Sequence, residues 1–205
     1  MGLFASIIKA GIRVKSEDKE FHDMTDVVIP EIPKNGYKNI KINSCLDVKV
    51  FFRENDLRIK MYLADKKISK DIRVKSMLDC EQLRLNVEMN IENVKGYIAV
   101  YLPKMKMVQI NTKYSDIEIE DIICDELIVN TGDGDVKVSL SSLRNSEIST
   151  KSGSVLAILK EEKFSFVANS KNGDIILEGI KSRKNAENFL KCITQTGDII
   201  IKAKK

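Results

Sequence analysis

The sequence between Thr112 and Ile201 repeats one short pattern five times. Each copy has Thr or Ser, two variable residues, a small residue, an acidic residue or Ser, and then two apolar residues one position apart. The first residues of the copies lie 19, 19, 20 and 24 positions apart. A period of this length is typical of solenoid proteins, in which each repeat forms one winding of the chain. The copies are Thr112-Lys-Tyr-Ser-Asp-Ile-Glu-Ile119, Thr131-Gly-Asp-Gly-Asp-Val-Lys-Val138, Thr150-Lys-Ser-Gly-Ser-Val-Leu-Ala157, Ser170-Lys-Asn-Gly-Asp-Ile-Ile-Leu177 and Thr194-Gln-Thr-Gly-Asp-Ile-Ile-Ile201.

Each repeat contains two short runs in which apolar residues alternate with others, and this period of two predicts strands with one buried face. A repeat of this length has no room for the helix that usually connects parallel strands. We therefore predict an all-β protein, a β-solenoid of about 19–24-residue coils, each stacked on the next about 4.8 Å away. The inward column of the strand after the turn should consist of Ile117, Val136, Val155, Ile175 and Ile199, followed two residues later by Ile119, Val138, Ala157, Leu177 and Ile201.

The turn of the repeat carries glycine at four positions, and a glycine there is typical of a turn residue with positive φ. The acidic residue that follows should accept hydrogen bonds from the local backbone. A column of carboxylates could instead hold a cation or act in acid catalysis. Ser154 interrupts this column and the calcium-binding nonapeptide is absent, so we favour turn capping. The glycines are Gly134, Gly153, Gly173 and Gly197, and the acids are Asp116, Asp135, Asp174 and Asp198.

The first 20 residues form a separate region, which we interpret as an amphipathic helix over residues 1–14 and a charged linker. The helix could dock on an open end or side of the solenoid, or it could lie in a membrane interface. Docking is favoured because 14 residues bind lipid weakly on their own. The apolar stripe of this helix is Leu3, Phe4, Ile7, Ile8 and Ile12.

Residues 21–205 are predicted to form a single solenoid domain, with irregular coils at 40–105 and regular coils at 106–203. A first strand is expected within Phe21–Ile29, where His22, the one histidine, is interpreted as a surface or strand-end residue. Within the irregular part, Phe52–Ile59 fits a degenerate copy of the repeat, with Phe in place of Thr.

Two departures from regularity predict a partner surface near the end of the chain. The longest interval should place Lys181, Arg183 and Lys184 in a protruding basic loop. The outward residues of the last three coils, Leu156, Ile176 and Ile200, should form an exposed apolar stripe, which marks a binding surface or a docking site for residues 1–14. The terminal residues Lys202, Lys204 and Lys205 are interpreted as protecting an open edge.

The composition excludes several classes of protein. The net charge is +4, which is too small to indicate nucleic-acid binding. Aromatic residues make up 6% of the chain and Trp is absent, so no platform for stacking bases or sugars is expected. No transmembrane segment or signal peptide is recognised, and we expect a cytoplasmic protein that is peripheral to the membrane at most. The scattered cysteines, Cys45, Cys80, Cys124 and Cys192, are expected to be reduced core residues.

The recurring Thr-x-x-Gly-Asp-Ile-x-Ile, preceded by the β run Ile98-Ala-Val-Tyr-Leu-Pro103, resembles the bacterial putative adhesin family. That resemblance covers residues 40–201 and implies a β-solenoid domain of unknown function that often accompanies cell-envelope and stress-response systems. It implies no catalytic residue, cofactor or metal.

Our first functional hypothesis is a non-enzymatic binding or scaffold module that contacts a protein partner or an envelope component, with residues 1–14 as a peripheral membrane contact. The second is a self-assembling solenoid of the bactofilin type. A carbohydrate-active β-helix enzyme is the third, although no groove with paired carboxylates and aromatic subsites is recognised. The chain also lacks a nucleophile elbow, a P-loop and a dinucleotide fingerprint, so we expect no catalytic, cofactor-binding or metal-binding residues.

Overall fold

The computed structural model describes residues 22–23, 36–54, 57–90, 94–140, 143–159, 164–184 and 186–204. The predicted helix over residues 1–14 lies outside the described residues, as does most of Phe21–Ile29. The described part is all-β apart from one 3-10 helix, Lys66–Asp71. The strands are β1 His22–Asp23, β2 Asn39–Ser44, β3 Asp47–Phe52, β4 Arg58–Leu63, β5 Ile72–Asp79, β6 Gln82–Met89, β7 Gly96–Leu102, β8 Met105–Thr112, β9 Ile117–Glu120, β10 Cys124–Thr131, β11 Val136–Leu140, β12 Asn145–Ser152, β13 Val155–Leu159, β14 Phe164–Asn172, β15 Ile175–Glu178, β16 Asn188–Thr196 and β17 Ile199–Ala203.

The strands form two sheets, and the side chains between them make one continuous apolar core. One sheet has the order β1-β4-β7-β3-β9-β11-β13-β17-β15, and the other has the order β14-β16-β12-β10-β8-β2-β6-β5. Two strands that are consecutive in the chain, one in each sheet, form a layer, as β8 and β9 do. The all-β solenoid predicted from the repeat is therefore confirmed in its main feature, the stacking of equivalent residues in columns.

The order of the last two layers differs from the sequence order. The layer of β16 and β17 lies between the layer of β12 and β13 and the layer of β14 and β15. In chain order, the outermost layer of β14 and β15 comes first, and the chain then turns back to place β16 and β17 between it and the layer of β12 and β13. This longer path accounts for the longest repeat interval. The prediction that coils stack in sequence order was wrong here, because a parallel strand can pair on either side. The inward column is Ile117, Val136, Val155, Ile199 and Ile175.

The opposite end of the stack is closed by antiparallel strands. Strand β4 runs antiparallel to β7, β5 runs antiparallel to β6, and β1 runs antiparallel to β4. The repeat-like match at Phe52–Ile59 is therefore not a parallel coil, because Ile59 lies on β4. The layer of β6 and β7 fills the space between this closing layer and that of β2 and β3.

The glycine column is explained by close packing between layers. A Cβ on Gly134, Gly153, Gly173 or Gly197 would lie 2.1–2.3 Å from the carbonyl oxygen of the equivalent residue in the adjacent layer. Among these four, only Gly197 has a positive φ, 134°. The expected positive φ was wrong for the other three, and glycine is required there because the turns of successive layers touch.

Side-chain hydroxyl groups in the turns bind the neighbouring layer. The hydroxyl of Thr150 donates to the carbonyl oxygen of Gly134 at 3.2 Å, and that of Thr194 donates to Gly153 at 3.0 Å. In the outermost layer, Ser170 donates in the same way to Gly197 at 2.8 Å. These repeated contacts satisfy buried turn carbonyls and explain why the first residue of each copy is Thr or Ser.

The acidic column has a similar role between layers. The Asp135 N–H donates to the carboxylate of Asp116 at 2.8 Å, and the Asp174 N–H donates to that of Asp198 at 2.9 Å. The predicted capping by these side chains therefore takes place across layers and not within the residue's own turn. Where Ser154 replaces Asp, its hydroxyl accepts the Asp198 N–H at 3.3 Å.

The four cysteines divide into two classes. All four are free thiols, but Cys45 and Cys80 are exposed, so their prediction as core residues was wrong. Cys80 lies in the β5–β6 turn with a positive φ of 52°, and the Cys45 thiol donates to the Val87 carbonyl oxygen at 3.1 Å. Cys124 and Cys192 are buried as expected, and burial raises the pKa of each thiol to about 12.

A thiol-specific reagent at pH 7.5 should therefore react with two of the four cysteines in the native protein. Cys80 should react first, and Cys45 should follow more slowly because burial also raises the pKa of its thiol. Cys124 and Cys192 should react only on unfolding. Mass spectrometry of the labelled peptides measures each rate, and native-state labelling of Cys192 would contradict its place in the core.

Candidate binding surface at the end of the stack

The outermost layer exposes residues that are core residues in every other regular layer. Ile175 and Leu177 of β15 are 45% and 48% exposed. Their equivalents on the adjacent strand, Ile199 and Ile201, are fully buried because β15 covers them. Among the described residues, β15 has a neighbouring strand on one side only. The parallel stack therefore ends in an apolar layer.

The predicted outward stripe meets this end of the stack, but in a different order. Leu156 pairs with Ile200, and Ile200 pairs with Ile176, so Ile176 is outermost. Ile200 is only 7% exposed, since it lies between the other two, whereas Leu156 and Ile176 are half-buried. We use the name terminal surface for the apolar residues of this region that are exposed or half-buried, namely Leu156, Ile175, Ile176 and Leu177.

The loop that follows β15 covers part of the end layer. The Ser182 hydroxyl accepts the Phe166 N–H at 3.0 Å, and the Arg183 N–H donates to the Phe164 carbonyl oxygen at 3.0 Å. Ile180 is 9% exposed and packs on the core. The loop thus covers the beginning of the β14 edge and leaves β15 uncovered by described residues. The predicted basic residues Lys181, Arg183 and Lys184 are all exposed on this loop.

The comparison with protein families identifies the fold. The model of the Toastrack DUF4097 family matches residues 25–205. The chain belongs to this family. The resemblance to bacterial adhesin-type proteins that the repeat suggested is thereby confirmed.

Two solved bacterial structures are similar to this chain. The crystal structure of a putative cell adhesion protein from Clostridium sporogenes ATCC 15579 is similar with a TM-score of 0.67 and 15% identity, covering 90% of this chain and 100% of that one. A putative adhesin from Bacteroides fragilis NCTC 9343 matches with a TM-score of 0.41 and 15% identity, covering 90% and 96%. At these identities the first likeness shows the fold alone. Among curated proteins, none matches the chain.

The described part of this Toastrack chain lacks two other kinds of feature. It contains no helix with the length and apolar character needed to cross a membrane. Nor, within the same residues, do three His, Cys, Asp or Glu side chains converge as a metal site would require.

A groove of about 1070 Å³ lies beside the terminal surface on the outer face of the same sheet. Its charged lining mixes both signs, with Glu178 next to Lys202 in the register of β15 and β17. Lys202 and Lys204 belong to this groove, and β17 is an interior strand. The prediction that the terminal lysines protect an open edge was therefore wrong for Lys202 and Lys204, while Lys205 lies outside the described residues.

An aromatic cluster near the closed end was missed by the sequence analysis. The rings of Phe51 and Tyr101 stack at 5.4 Å, and those of Tyr62 and Tyr97 stack at 4.7 Å. The Lys49 ammonium lies 4.1 Å from the centre of the Tyr97 ring. The strands β3, β4 and β7 bring these residues together from distant positions. In the sequence, these aromatic residues alternate with core residues, which indicates that they face outward. The antiparallel pairing of β4 with β7 that brings them together could not be predicted from the sequence.

Asp47 extends the acidic column one layer beyond the predicted copies. Its carboxylate accepts the Asp116 N–H at 3.0 Å. The residue is exposed as a whole, but partial desolvation of its carboxyl group raises its pKa to about 6. The Asp116 N–H and Lys49 oppose the rise, while the Asp116 carboxylate adds to it. The signal in the sequence was Ser44-Cys-Leu-Asp47-Val-Lys-Val50, which is one residue shorter than the repeat.

The raised pKa of Asp47 predicts a pH-dependent contribution to stability. Because the folded-state pKa of about 6 exceeds the model-compound value of 3.8, ionised Asp47 destabilises the fold above pH 6, and the penalty disappears as the pH falls towards 4. Asp47→Asn keeps an oxygen acceptor without the charge. It should be more stable than the wild type at pH 7.5, and the difference should vanish near pH 4 in urea unfolding. A difference independent of pH would contradict the assignment.

Proposed function

We propose that this Toastrack chain is a non-catalytic binding or scaffold module that holds a protein partner through the terminal surface. The observation that carries the proposal is the exposure of Ile175 and Leu177 at positions that are core positions in the other regular layers. Exposed contiguous apolar surface on a folded protein is typical of interaction sites. The basic residues Lys181 and Lys184 lie on the adjoining loop and would form the polar rim of such an interface.

The cell envelope is the proposed place of action. The similar protein from Clostridium sporogenes is described as a putative cell adhesion protein, and its fold is shared by this chain. The apolar stripe and basic residues of the first 14 residues support a contact with the inner membrane surface. Sedimentation with anionic liposomes should retain the full chain and lose a variant without residues 2–14. Equal sedimentation of both, or none of either, would refute the membrane contact.

A photo-crosslinking amino acid placed at Ile175 tests the partner interface in cells. A discrete crosslinked protein is expected from this position. The matched control is Ile123, which is 40% exposed but lies between β9 and β10, away from the end of the stack. The same label at Ile123 should give no such product. Identical products from the two positions, or none from Ile175, would overturn the proposed interface.

Endless self-assembly is the second candidate, and the fold argues against its simplest form. Head-to-tail stacking needs two open, parallel ends. Here the β4–β5 end is closed by strands that run antiparallel to their neighbours. Electron microscopy of the purified chain over a wide concentration range should show no filaments.

A further inference from the structure

We propose that the terminal surface binds an extended segment of a different protein, which adds to β15 as a parallel strand. The inference rests on the proposed binding function and specifies the kind of partner. Strand addition of this type takes its affinity from main-chain hydrogen bonds and its specificity from alternate side chains.

Three contacts recur between neighbouring layers and define what the open layer lacks. A backbone N–H donates to the acidic side chain of the layer before it, as Asp174 donates to Asp198. A Thr or Ser hydroxyl donates to the turn carbonyl of the layer before it, as Ser170 donates to Gly197. The N–H after the acidic position donates to the layer beyond, as Ile199 donates to the Asp174 carbonyl at 2.9 Å.

In the outermost layer, the same three groups have no further strand to bind among the described residues. They are the carboxylate of Asp174, the carbonyl oxygen of Gly173 and the N–H of Ile175. The two apolar side chains Ile175 and Leu177 stand beside them, each nearly half exposed. A parallel strand in the register of the stack would satisfy all of these groups at once, because every earlier layer does so.

A second copy of the chain satisfies them poorly. Two-fold symmetry would pair β15 with itself in the antiparallel direction, and centring that pair on Ile176 would place Asp174 opposite Glu178 of the other copy. Like charges directly opposite each other destabilise a strand pair. At the other end of a second copy, the described residues form antiparallel strands and include no repeat turn.

The helix predicted for residues 1–14 would not complete the open layer. The main-chain N–H and C=O groups of a helix bond to each other within the helix, so it could cover Ile175 and Leu177 but could not pair with the edge of β15. We therefore assign the bound segment to an extended stretch of another protein.

The residues that recur in each layer also predict which residue types the bound segment should contain. It should carry Ser or Thr, then a small residue three positions later, and apolar residues at two alternate positions that face Ile175 and Leu177. A basic residue next to Glu178 would be favoured, since Lys202 occupies that place on the other side of β15. A labelled peptide copying residues 131–140 of this chain (Thr-Gly-Asp-Gly-Asp-Val-Lys-Val-Ser-Leu) has the Thr, the small residue and the two apolar residues of this pattern, with Ser139 at the place of the basic residue, and serves as the probe.

Fluorescence anisotropy of the labelled peptide with the full-length protein tests the proposal. Saturable binding is expected, with at least a tenfold loss of affinity in Leu177→Lys and no loss in the control Ile123→Lys. A scrambled peptide should not bind. No saturable binding of the copied peptide, or equal binding by Leu177→Lys, would overturn strand addition, whereas the crosslink from Ile175 tests the binding function independently.

The direction of the bound strand is tested by disulfide formation. A Cys in place of the second Val of the peptide should pair with Leu177→Cys, and a Cys in place of the first Val should not. The reverse preference would show antiparallel addition and refute the proposal. Sedimentation velocity of the protein alone gives the remaining outcome, because a dimer abolished by Leu177→Lys would make a second copy the occupant.

Discussion

Gly153→Ala is expected to lower the free energy of unfolding by about 3 kcal/mol or more. The new Cβ would lie 2.1 Å from the Gly134 carbonyl oxygen and 2.6 Å from its carbon. Both atoms belong to the backbone of the adjacent layer, so relief of the clash requires the layers of β10–β11 and β12–β13 to separate at the turn. The same movement would lengthen the hydrogen bond from Thr150 to Gly134.

Gly179→Ala is the matched control for this prediction. Gly179 has a positive φ of 66°, and an added Cβ would meet nothing within 4 Å. The left-handed backbone alone should cost about 1–2 kcal/mol. Urea unfolding followed by circular dichroism measures both variants. Equal costs would show that glycine is needed in the column for its conformation, in contradiction to the packing explanation.

Ile199→Ala should cost about 2–5 kcal/mol, while Ile175→Ala should cost about 1 kcal/mol. Both residues occupy the same position of the repeat. Ile199 is fully buried between the layers of Val155 and Ile175, whereas Ile175 is 45% exposed in the outermost layer. Truncation of the buried Ile199 leaves a cavity in the core. Truncation of Ile175 leaves space that water can fill, because this residue lies in the outermost layer.

This pair of variants separates the observed order of layers from the order of the sequence. If the coils were stacked in sequence order, Ile199 would lie in the outermost layer and Ile175 would be buried. The larger cost would then fall on Ile175→Ala. Urea unfolding of the two variants beside the wild type gives the comparison, with an unchanged slope required to attribute the difference to the native state.

The repeat predicted the layers well because its period is a local property of the sequence. The columns of apolar residues and the pairing of their positions follow from equivalent positions in consecutive copies. The order of the last two layers does not follow from them. Each copy presents the same main-chain and turn groups at both edges of its strands. A copy can therefore pair as a parallel strand on either side of its neighbour.

The candidate site was predicted only in part for the same reason. Leu156, Ile176 and Ile200 were recognised as a stripe, but the exposure of Ile175 and Leu177 depends on which layer is last. At the other end, the aromatic cluster of Phe51, Tyr62, Tyr97 and Tyr101 depends on long-range pairing between β3, β4 and β7, for which the sequence contains no repeat.

Disulfide formation between engineered cysteines tests the order of the layers most directly. In a chain with Cys45 and Cys80 changed to Ser, the pair Leu156→Cys and Ile200→Cys lies on adjacent strands, where Cα atoms about 4.8 Å apart permit a disulfide. The pair Leu156→Cys and Ile176→Cys lies two strands apart, at about 10 Å, which is beyond disulfide range. Mild oxidation should therefore crosslink the first pair and leave the second reduced. Crosslinking of the second pair without the first would show that the coils follow the sequence order, and the terminal surface described here would not exist.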